Sequence, residues 1–165
     1  MKTNFETLVN LVICAEKESK PRHELVLHIG LTPERLVGLG FNALTLVVKA
    51  KTIGKMFFDH GLTQGQIERI PAMLEVPQAI YRSDTHPTNM VVLTYELKAG
   101  SPIIIPIARD RQVGRGPLVN EVVSMYAKTG PTLRDDGGIR GVAVVGKKWA
   151  AAAMKRALPD TTFWL

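Results

Sequence analysis

An apolar hairpin between Met90 and Ala108 constrains the fold of this chain most strongly. From Met90 to Lys98 the odd positions Val91, Leu93, Tyr95 and Leu97 are apolar, and the polar residues Thr94, Glu96 and Lys98 lie on the other face. This period of two predicts a strand with one packed face and one outward face. Ala99-Gly100-Ser101 predicts a three-residue connection into a second strand over Pro102–Ala108, where Pro106 indicates an edge or a bulge. The segment Ala79–Ser83 predicts the preceding strand.

The first 77 residues read as helices interrupted by short strands. Apolar spacing predicts a helix over Asn4–Glu18, and two runs rich in β-formers predict strands. Thr32 and Thr63 are expected to cap helices, the second of which is interrupted by Pro71 and closes at Pro77. The two strands are predicted over His23–Gly30 and Asn42–Ala50, and a further helix over Thr52–His60.

Beyond the hairpin, the pattern predicts two more helices and one strand. The loop Gln112–Pro117 leads into a predicted helix over Leu118–Lys128, with an apolar stripe that includes Val119, Val122 and Tyr126. A short strand is predicted over Val142–Val145 and an alanine-rich helix over Lys147–Leu158. No internal repeat and no linker is found, so a single domain over 1–165 is predicted, mainly helical with short strands over 1–77 and sheet with two helices over 78–165.

Composition places the 165 residues among ordinary globular proteins. With 45% hydrophobic and 22% charged residues, the chain can bury a core without extensive disorder. A single cysteine, Cys14, excludes an internal disulfide, and no Cys/His cluster has the spacing of a zinc site. No apolar run approaches the roughly 20 residues of a membrane span, and no signal peptide is found. We therefore expect a cytoplasmic protein without metal or cofactor.

A net charge of +6 is compatible with a polyanionic partner. The clearest basic cluster surrounds one loop, where Gly114 and Gly116 also permit close backbone approach to an anion. These cations either bind phosphate or are simply solvated, and both interpretations stay open. The cluster consists of Arg109, Arg111, Arg115 and, further along, Lys128.

Several polar residues are candidates for a site, and each has an ordinary structural alternative. His60 ends a predicted helix, where a histidine also interacts favourably with the helix dipole. Ser83 follows Arg82 at a strand end and either enters a cleft or caps the strand. Asn120 and Ser124 are four residues apart, so on a helix they share one face, which either binds a ligand or is solvated. Tyr126 lies in the apolar stripe, from which only its hydroxyl reaches a polar site.

Two short motifs suggest chemistry that their spacing does not support. Gly114-Arg115-Gly116 lacks the full glycine spacing and the following Lys-Ser/Thr of a phosphate-binding loop. Asp135 and Asp136 are adjacent carboxylates without spaced partners, which is typical of a turn and not of a metal site.

The order of these segments resembles a known phage family. Lys55 to His60 followed by Gly-Leu-Thr, the run Ile70–Pro77 leading to Ile80-Tyr81-Arg82-Ser83, the hairpin, and then Asn120 and Ser124-Met125-Tyr126 together resemble the C-terminal domain of phage MuF-type proteins. The resemblance covers roughly residues 42 to 130. Such domains are similar to the phage branch of the barnase, EndoU, colicin and RelE-like ribonuclease superfamily.

The resemblance implies an α+β fold, RNase-toxin-like, in which N-terminal helices pack on an antiparallel sheet of about four strands. It also implies metal-independent RNA cleavage, in which a general base activates a ribose 2′-OH and cationic or hydrogen-bonding groups stabilise the attacked phosphate. His60 is then the acid/base candidate, Ser83 and Ser124 hydrogen-bond the phosphate, and Lys55 or an arginine of the 109–115 loop stabilises charge. The implied catalytic set is Lys55, His60, Ser83, Asn120, Ser124 and Tyr126, with phosphate contacts from Arg82, Arg109, Arg111, Arg115 and Lys128.

Two further hypotheses stay open beside a small RNase-like effector acting on RNA. The first is a phage- or plasmid-borne inhibitor without chemistry, which binds a protein machine; it is motivated by the apolar tail Phe163-Trp164-Leu165 and by the lack of an obvious second histidine, His86 being a weak candidate. The second is a nucleic-acid-binding module without catalysis. It depends only on charge and on the spacing of the basic loop, since 6% aromatic residues leave no interleaved stacking platform.

Overall fold

Five helices and eight strands make up the parts of the chain that the computed structural model describes, residues 3–83, 86–128 and 143–146. The helices are α1 (Asn4–Lys17), α2 (Glu34–Val37), α3 (Ala50–Gly54), α4 (Gln64–Glu68) and α5 (Ile70–Glu75), and a π-helical turn over Lys55–Asp59 continues α3. The strands are β1 (Val26–Leu31), β2 (Thr45–Lys49), β3 (Ala79–Arg82), β4 (Asn89–Lys98), β5 (Ser101–Arg111), β6 (Val119–Val122), β7 (Tyr126–Ala127) and β8 (Ala143–Gly146). The predicted α+β class is confirmed.

The strands form one mixed sheet rather than a four-stranded antiparallel one. Within the described ranges the order is β1-β2-β6-β5-β4-β3-β8, and β7 pairs with β5 beyond the end of β6. Strands β2 and β6 run parallel, whereas the other pairs that the structure describes are antiparallel. The predicted hairpin is β4 and β5, joined by a two-residue turn of Ala99 and Gly100, whose φ values of 50° and 80° suit a tight hairpin.

The helices and the sheet share one hydrophobic core. Val9 and Ile13 of α1 and Ile53 of α3 pack in the same cluster as Ile103 and Ile105 of β5, and all five are below 1% exposed. Fully burying a side chain of this size stabilises a fold by about 1.5–3 kcal/mol, so this shared cluster is the main force holding the layers together.

The two faces of β4 depart from the predicted pattern. Val91 and Leu93 are buried as expected, but Tyr95 and Leu97, further along the same face, are 50% and 58% exposed. On the opposite face Thr94 is buried, and its hydroxyl donates to the carbonyl of Ile103, which offsets the cost of burying it. The prediction of one packed and one outward face was therefore wrong for this strand.

Of the two helix caps predicted from the sequence, one is confirmed and the other is wrong. Thr63 caps α4 through a capping box with Gln66, as predicted. Thr32 caps no helix, because its hydroxyl donates to the carbonyl of Leu44 at 2.6 Å, and α2 begins after Pro33 without a side-chain cap.

The predicted helix over Leu118–Lys128 is wrong, since this segment forms β6 and β7. Its apolar residues also suit a strand, and a short apolar run does not distinguish the two structures. The neighbouring strands decide the outcome, because β6 fills the place between β2 and β5 and buries Val122 fully. The strand predicted near residues 142–145 is confirmed as β8. The helix predicted over Lys147–Leu158, the turn at Asp135 and Asp136, and the tail Phe163–Leu165 lie outside the described residues.

Pro106 is opposite the break between β6 and β7, which fits the predicted bulge. Its carbonyl accepts from the N–H of Val123, and in an antiparallel pair a residue's N–H and C=O point to the same neighbour. The N–H that proline lacks would therefore point at the segment 123–125, where pairing with β5 stops. This interruption leaves Ser124 and Met125 outside the regular ladder.

Candidate functional site

Three chain segments converge at one end of the sheet. Parallel strands carry their carboxyl ends at the same edge, so β2 leads into α3 and the π-turn beside the point where β6 leads to Ser124 and Met125. Strand β5 runs antiparallel to β6 and so begins at this edge, at Ser101, next to the hairpin turn. Residues far apart in the chain thereby meet around one cleft.

The cleft measures about 480 Å³ and has a mixed polar and apolar lining. Of the predicted catalytic residues, it brings together His60, Ser124 and Tyr126. Lys98 and Ser101 also line it, although no sequence pattern indicated that they belong to a site. The full lining is His60, Lys98, Ala99, Ser101, Ser124, Tyr126 and Ala127.

His60 is fixed by the π-turn and by the break in the sheet. Its backbone N–H donates to the carbonyl of Lys55, and its ring Nδ1 is 2.9 Å from the carbonyl oxygen of Met125. A carbonyl oxygen only accepts, so Nδ1 carries a proton and, in the neutral ring, Nε2 presents a lone pair. Nε2 has no hydrogen-bond partner among the residues described. The ring is therefore held in the tautomer that suits a general base.

Tyr126 packs edge-to-face against this imidazole, with ring centroids 5.7 Å apart. Partial burial of the side chain raises the pKa of the Tyr126 phenol, because the charged phenolate is poorly solvated there. The hydroxyl consequently keeps its proton at neutral and mildly alkaline pH. It is thus a hydrogen-bond donor on the wall of the cleft.

Lys98 supplies the cation of the cleft. Its Nζ donates to the backbone carbonyl of His60 at 2.7 Å, which ties the end of β4 to the end of the π-turn. An ammonium has three N–H donors, so this bond leaves others for a ligand. In the sequence Lys98 is simply a polar residue of an alternating strand, and no spacing motif distinguishes it. Only the pairing of β4 with its neighbours reveals its proximity to His60.

Asn120 is in the protein interior, away from the cleft. It is fully buried on β6, where its amide N donates to the Thr32 hydroxyl and to the carbonyl of Asn42. Its amide oxygen accepts from the N–H of Asp110. Because this segment is a strand interrupted at residue 123, the predicted helix face shared with Ser124 does not exist. Asn120 joins the segment between β1 and β2 to strand β5 at the opposite end of the sheet.

Ser83 and the arginines are also at that opposite end. Ser83 follows β3 beside Asn89, at the start of β4, and its hydroxyl accepts from the N–H of His86. Arg82 pairs with Met90 in the same region, and Arg109 donates to the carbonyl of Gly40. The ten residues from Asn89 to Lys98 span about 30 Å along an unbent strand, so these groups do not share the cleft with His60.

Lys55 and Lys128 are near the cleft end but do not line the cleft. Lys55 is exposed at the start of the π-turn, five residues before His60. Lys128 follows β7, where its backbone N–H donates to the carbonyl of Pro102. Their side chains make no hydrogen bond or ion pair with other residues in the described part of the chain.

A comparison with protein families identifies the domain. The family model of the phage MuF C-terminal domain matches residues 51–145, more than half of the chain. The chain belongs to the phage MuF C-terminal domain family. The match includes every residue that lines the cleft. No curated protein and no solved structure was found to match this MuF C-terminal domain.

The described part of the chain contains no group of three or more His, Cys, Asp or Glu side chains placed to hold a metal ion. None of its helices has the length and apolar character needed to cross a membrane.

Proposed function

We propose that this MuF C-terminal domain is a small RNase-like effector that cleaves RNA by attack of a ribose 2′-OH on the adjacent phosphate. The observation that carries the proposal is the bond from His60 Nδ1 to the Met125 carbonyl, which prepares Nε2 as a base in a cleft with hydroxyl and ammonium groups. The proposal includes a relationship to the barnase, EndoU, colicin and RelE-like ribonucleases, whose chemistry needs no metal.

The reaction uses groups already present in the cleft. His60 Nε2 accepts the proton of the 2′-OH, the O2′–P bond forms, and the bond from phosphorus to the 5′ oxygen breaks. The leaving oxygen takes a proton from an acid in the cleft, for which the Tyr126 hydroxyl is available. The products are a 2′,3′-cyclic phosphate and a free 5′-OH.

Lys98 replaces Lys55 and the loop arginines as the charge-stabilising group of this proposal. Its ammonium adds positive charge where the attacked phosphate gains negative charge, and fixed donors in a partly enclosed cleft are effective for this purpose. Ser101 and Ser124 supply hydroxyl donors to the non-bridging oxygens, so Ser124 keeps its predicted role and Ser101 takes that of Ser83.

The test is cleavage of total RNA and of tRNA in the presence of EDTA. We expect wild-type protein to cleave, and His60→Ala to lose at least about 100-fold in rate because it lacks the base. Ser124→Ala should fall by a smaller factor. The matched control is His28→Ala, since His28 is exposed on the edge strand β1, outside the cleft. Absence of wild-type cleavage, or full activity of His60→Ala, would exclude the proposal.

A further inference from the structure

A second cluster of cations surrounds the buried carboxylate of Glu121, and none of its residues lines the cleft. This side chain is 4% exposed on β6, between β2 and β5. Its Oε2 is 3.6 Å from Lys49 Nζ and its Oε1 is 3.6 Å from Arg111 Nε. Two cations against one carboxylate leave a net positive charge, and both cations are 41–51% exposed.

Glu121 attracts Arg111 without forming a hydrogen bond to it. The closest approach is from Nε to Oε1 at 3.6 Å, and the guanidinium donates no hydrogen bond to another residue in the described part of the chain. A guanidinium forms two parallel hydrogen bonds to one phosphate through a pair of neighbouring N–H groups. The buried carboxylate thus holds the Arg111 charge near β6 by electrostatic attraction, while the N–H groups of the guanidinium stay available to a ligand on the exposed surface.

The adjacent loop is ordered by its own side chains. Gln112 Nε2 donates to the carbonyls of Gly114 and Gly116 at 2.9 and 2.7 Å, which closes the loop around Arg115. On the other side, Asn42 donates to the Asp110 carboxylate at 2.8 Å. Arg115 is exposed and makes no ion pair in the described part of the molecule. Its charge is therefore available to a ligand.

We propose that Arg111, Arg115 and Lys49 form a second phosphate-binding surface, which holds the backbone of single-stranded RNA outside the cleft. The inference rests on the proposed function, since it specifies the RNA substrate. Strand β5 joins the two places, from Ser101 in the cleft to Arg111, and its eleven residues span about 33 Å if unbent. At about 3.4 Å per stacked nucleotide, an RNA of roughly ten nucleotides reaches both.

The experiment measures binding of a fluorescent 20-nucleotide single-stranded RNA to the His60→Ala variant, which should cleave it at least about 100-fold more slowly than wild type. Arg115→Gln is added to that variant, and separately Arg111→Gln, with binding measured over a series of salt concentrations. Loss of one phosphate contact should weaken binding several-fold and reduce the slope of log K against log salt by about 0.7. Arg22→Gln is the matched control, because Arg22 is an exposed arginine paired with Glu24 beside α1.

The inference would be overturned if Arg115→Gln bound RNA with the same affinity and salt slope as its His60→Ala parent. It would also be overturned if Arg22→Gln weakened RNA binding as much as Arg115→Gln does, or if the protein bound no RNA. Arg111→Gln is accompanied by an unfolding measurement, since it removes a contact of a buried carboxylate, whereas Arg115→Gln has no such contact to lose.

Cleavage of a dinucleotide separates this inference from the proposed function. A dinucleotide is too short to reach the second surface, so Arg115→Gln should leave its cleavage unchanged. Arginine-dependent RNA binding without any cleavage would exclude the proposed reaction and keep the second surface. If Arg115→Gln cleaves both the long RNA and the dinucleotide at the wild-type rates, and RNA binding is unchanged, the second surface is excluded and the proposed reaction stands.

Discussion

At the scale of single residues, Gly61 links backbone conformation to the geometry of the cleft. Its φ of +63° is in the left-handed region, and a Cβ at this position would be 2.9 Å from Lys98 Nζ. We expect Gly61→Ala to lower the free energy of unfolding by about 1–2 kcal/mol through backbone strain. We also expect it to displace the Lys98 ammonium from the His60 carbonyl and so to slow RNA cleavage, measured beside urea unfolding.

Gly100→Ala is the matched control for this prediction. Gly100 also has a left-handed φ, of +80°, but a Cβ there would have no atom within 4 Å. Gly100→Ala should lose similar stability and, because no added Cβ displaces Lys98, lose less of its cleavage rate than Gly61→Ala. If both variants lose activity equally, displacement of Lys98 is not the cause.

Asn120 gives a contrasting prediction, because its hydrogen bonds are internal. Asn120→Ala leaves the Asp110 N–H without its partner and removes one hydrogen bond each from the Asn42 carbonyl and the Thr32 hydroxyl, which keep their bonds to Leu44. Since a buried polar group without a partner costs about 1–3 kcal/mol and a lost hydrogen bond about 0.5–1.5 kcal/mol, we expect a total loss of roughly 2–4 kcal/mol in the free energy of unfolding. Cleavage by the folded fraction should be unchanged. A variant of normal stability that has lost cleavage would restore the catalytic role predicted from the sequence.

At the scale of elements, short-range sequence patterns predicted a helix or strand correctly where no long-range contact competes with them. The capping box at Thr63 and the alternation from Met90 to Lys98 are short-range features, and the structure contains the corresponding helix and strand, although the buried and exposed positions of the strand do not follow the alternation. The segment from Leu118 to Lys128 has an apolar pattern that fits either structure, and its place between β2 and β5 decides for strand. Thr32 differs because a longer-range hydrogen bond to Leu44 competes with capping.

The ion pair of Arg69 with Glu96 ties the α4–α5 junction to β4 and makes stability depend on pH. Two hydrogen bonds, of 2.6 and 2.7 Å, join the guanidinium to the carboxylate. The hydrogen bonds from Arg69 lower the pKa of Glu96. The folded state therefore binds a proton at Glu96 less readily than the unfolded chain does, so this stabilisation is present above about pH 4.3 and is lost as the pH falls through the lower folded pKa.

Glu96→Gln tests this linkage. We expect the variant to be less stable than wild type by about 0.5–1 kcal/mol at pH 7, a modest amount because both side chains are partly exposed. The difference should shrink progressively below about pH 4.3, measured by urea unfolding at a series of pH values. Glu75→Gln is the control, since Glu75 is exposed and has no ion pair in the described part of the chain. A difference that persists unchanged at low pH would contradict the assignment.

At the scale of the whole molecule, the candidate site was only partly predictable. His60, Ser124 and Tyr126 were selected from the order of segments, and the structure brings them into one cleft. Their proximity depends on the parallel pairing of β2 with β6, which joins residues more than 70 positions apart. No local pattern encodes that pairing. Sequence reasoning therefore could not separate Ser83 from the cleft or find Lys98.

The shared core predicts that the helices and the sheet unfold together. Ile13 of α1 and Ile105 of β5 are both fully buried in one cluster, so Ile13→Ala and Ile105→Ala should each lower the free energy of unfolding by about 2–5 kcal/mol. Because one transition exposes both layers, either variant should reduce the protection of the slowest amides in α1 and β5 by the same free energy, measured by native-state hydrogen exchange. Leu11→Ala, on the exposed side of α1 at 41% exposure, should change both much less. If Ile13→Ala reduced protection in α1 while the amides of β5 kept theirs, the helices would form a separate unfolding unit. The segment that holds His60 would then open at a lower free energy than the sheet does.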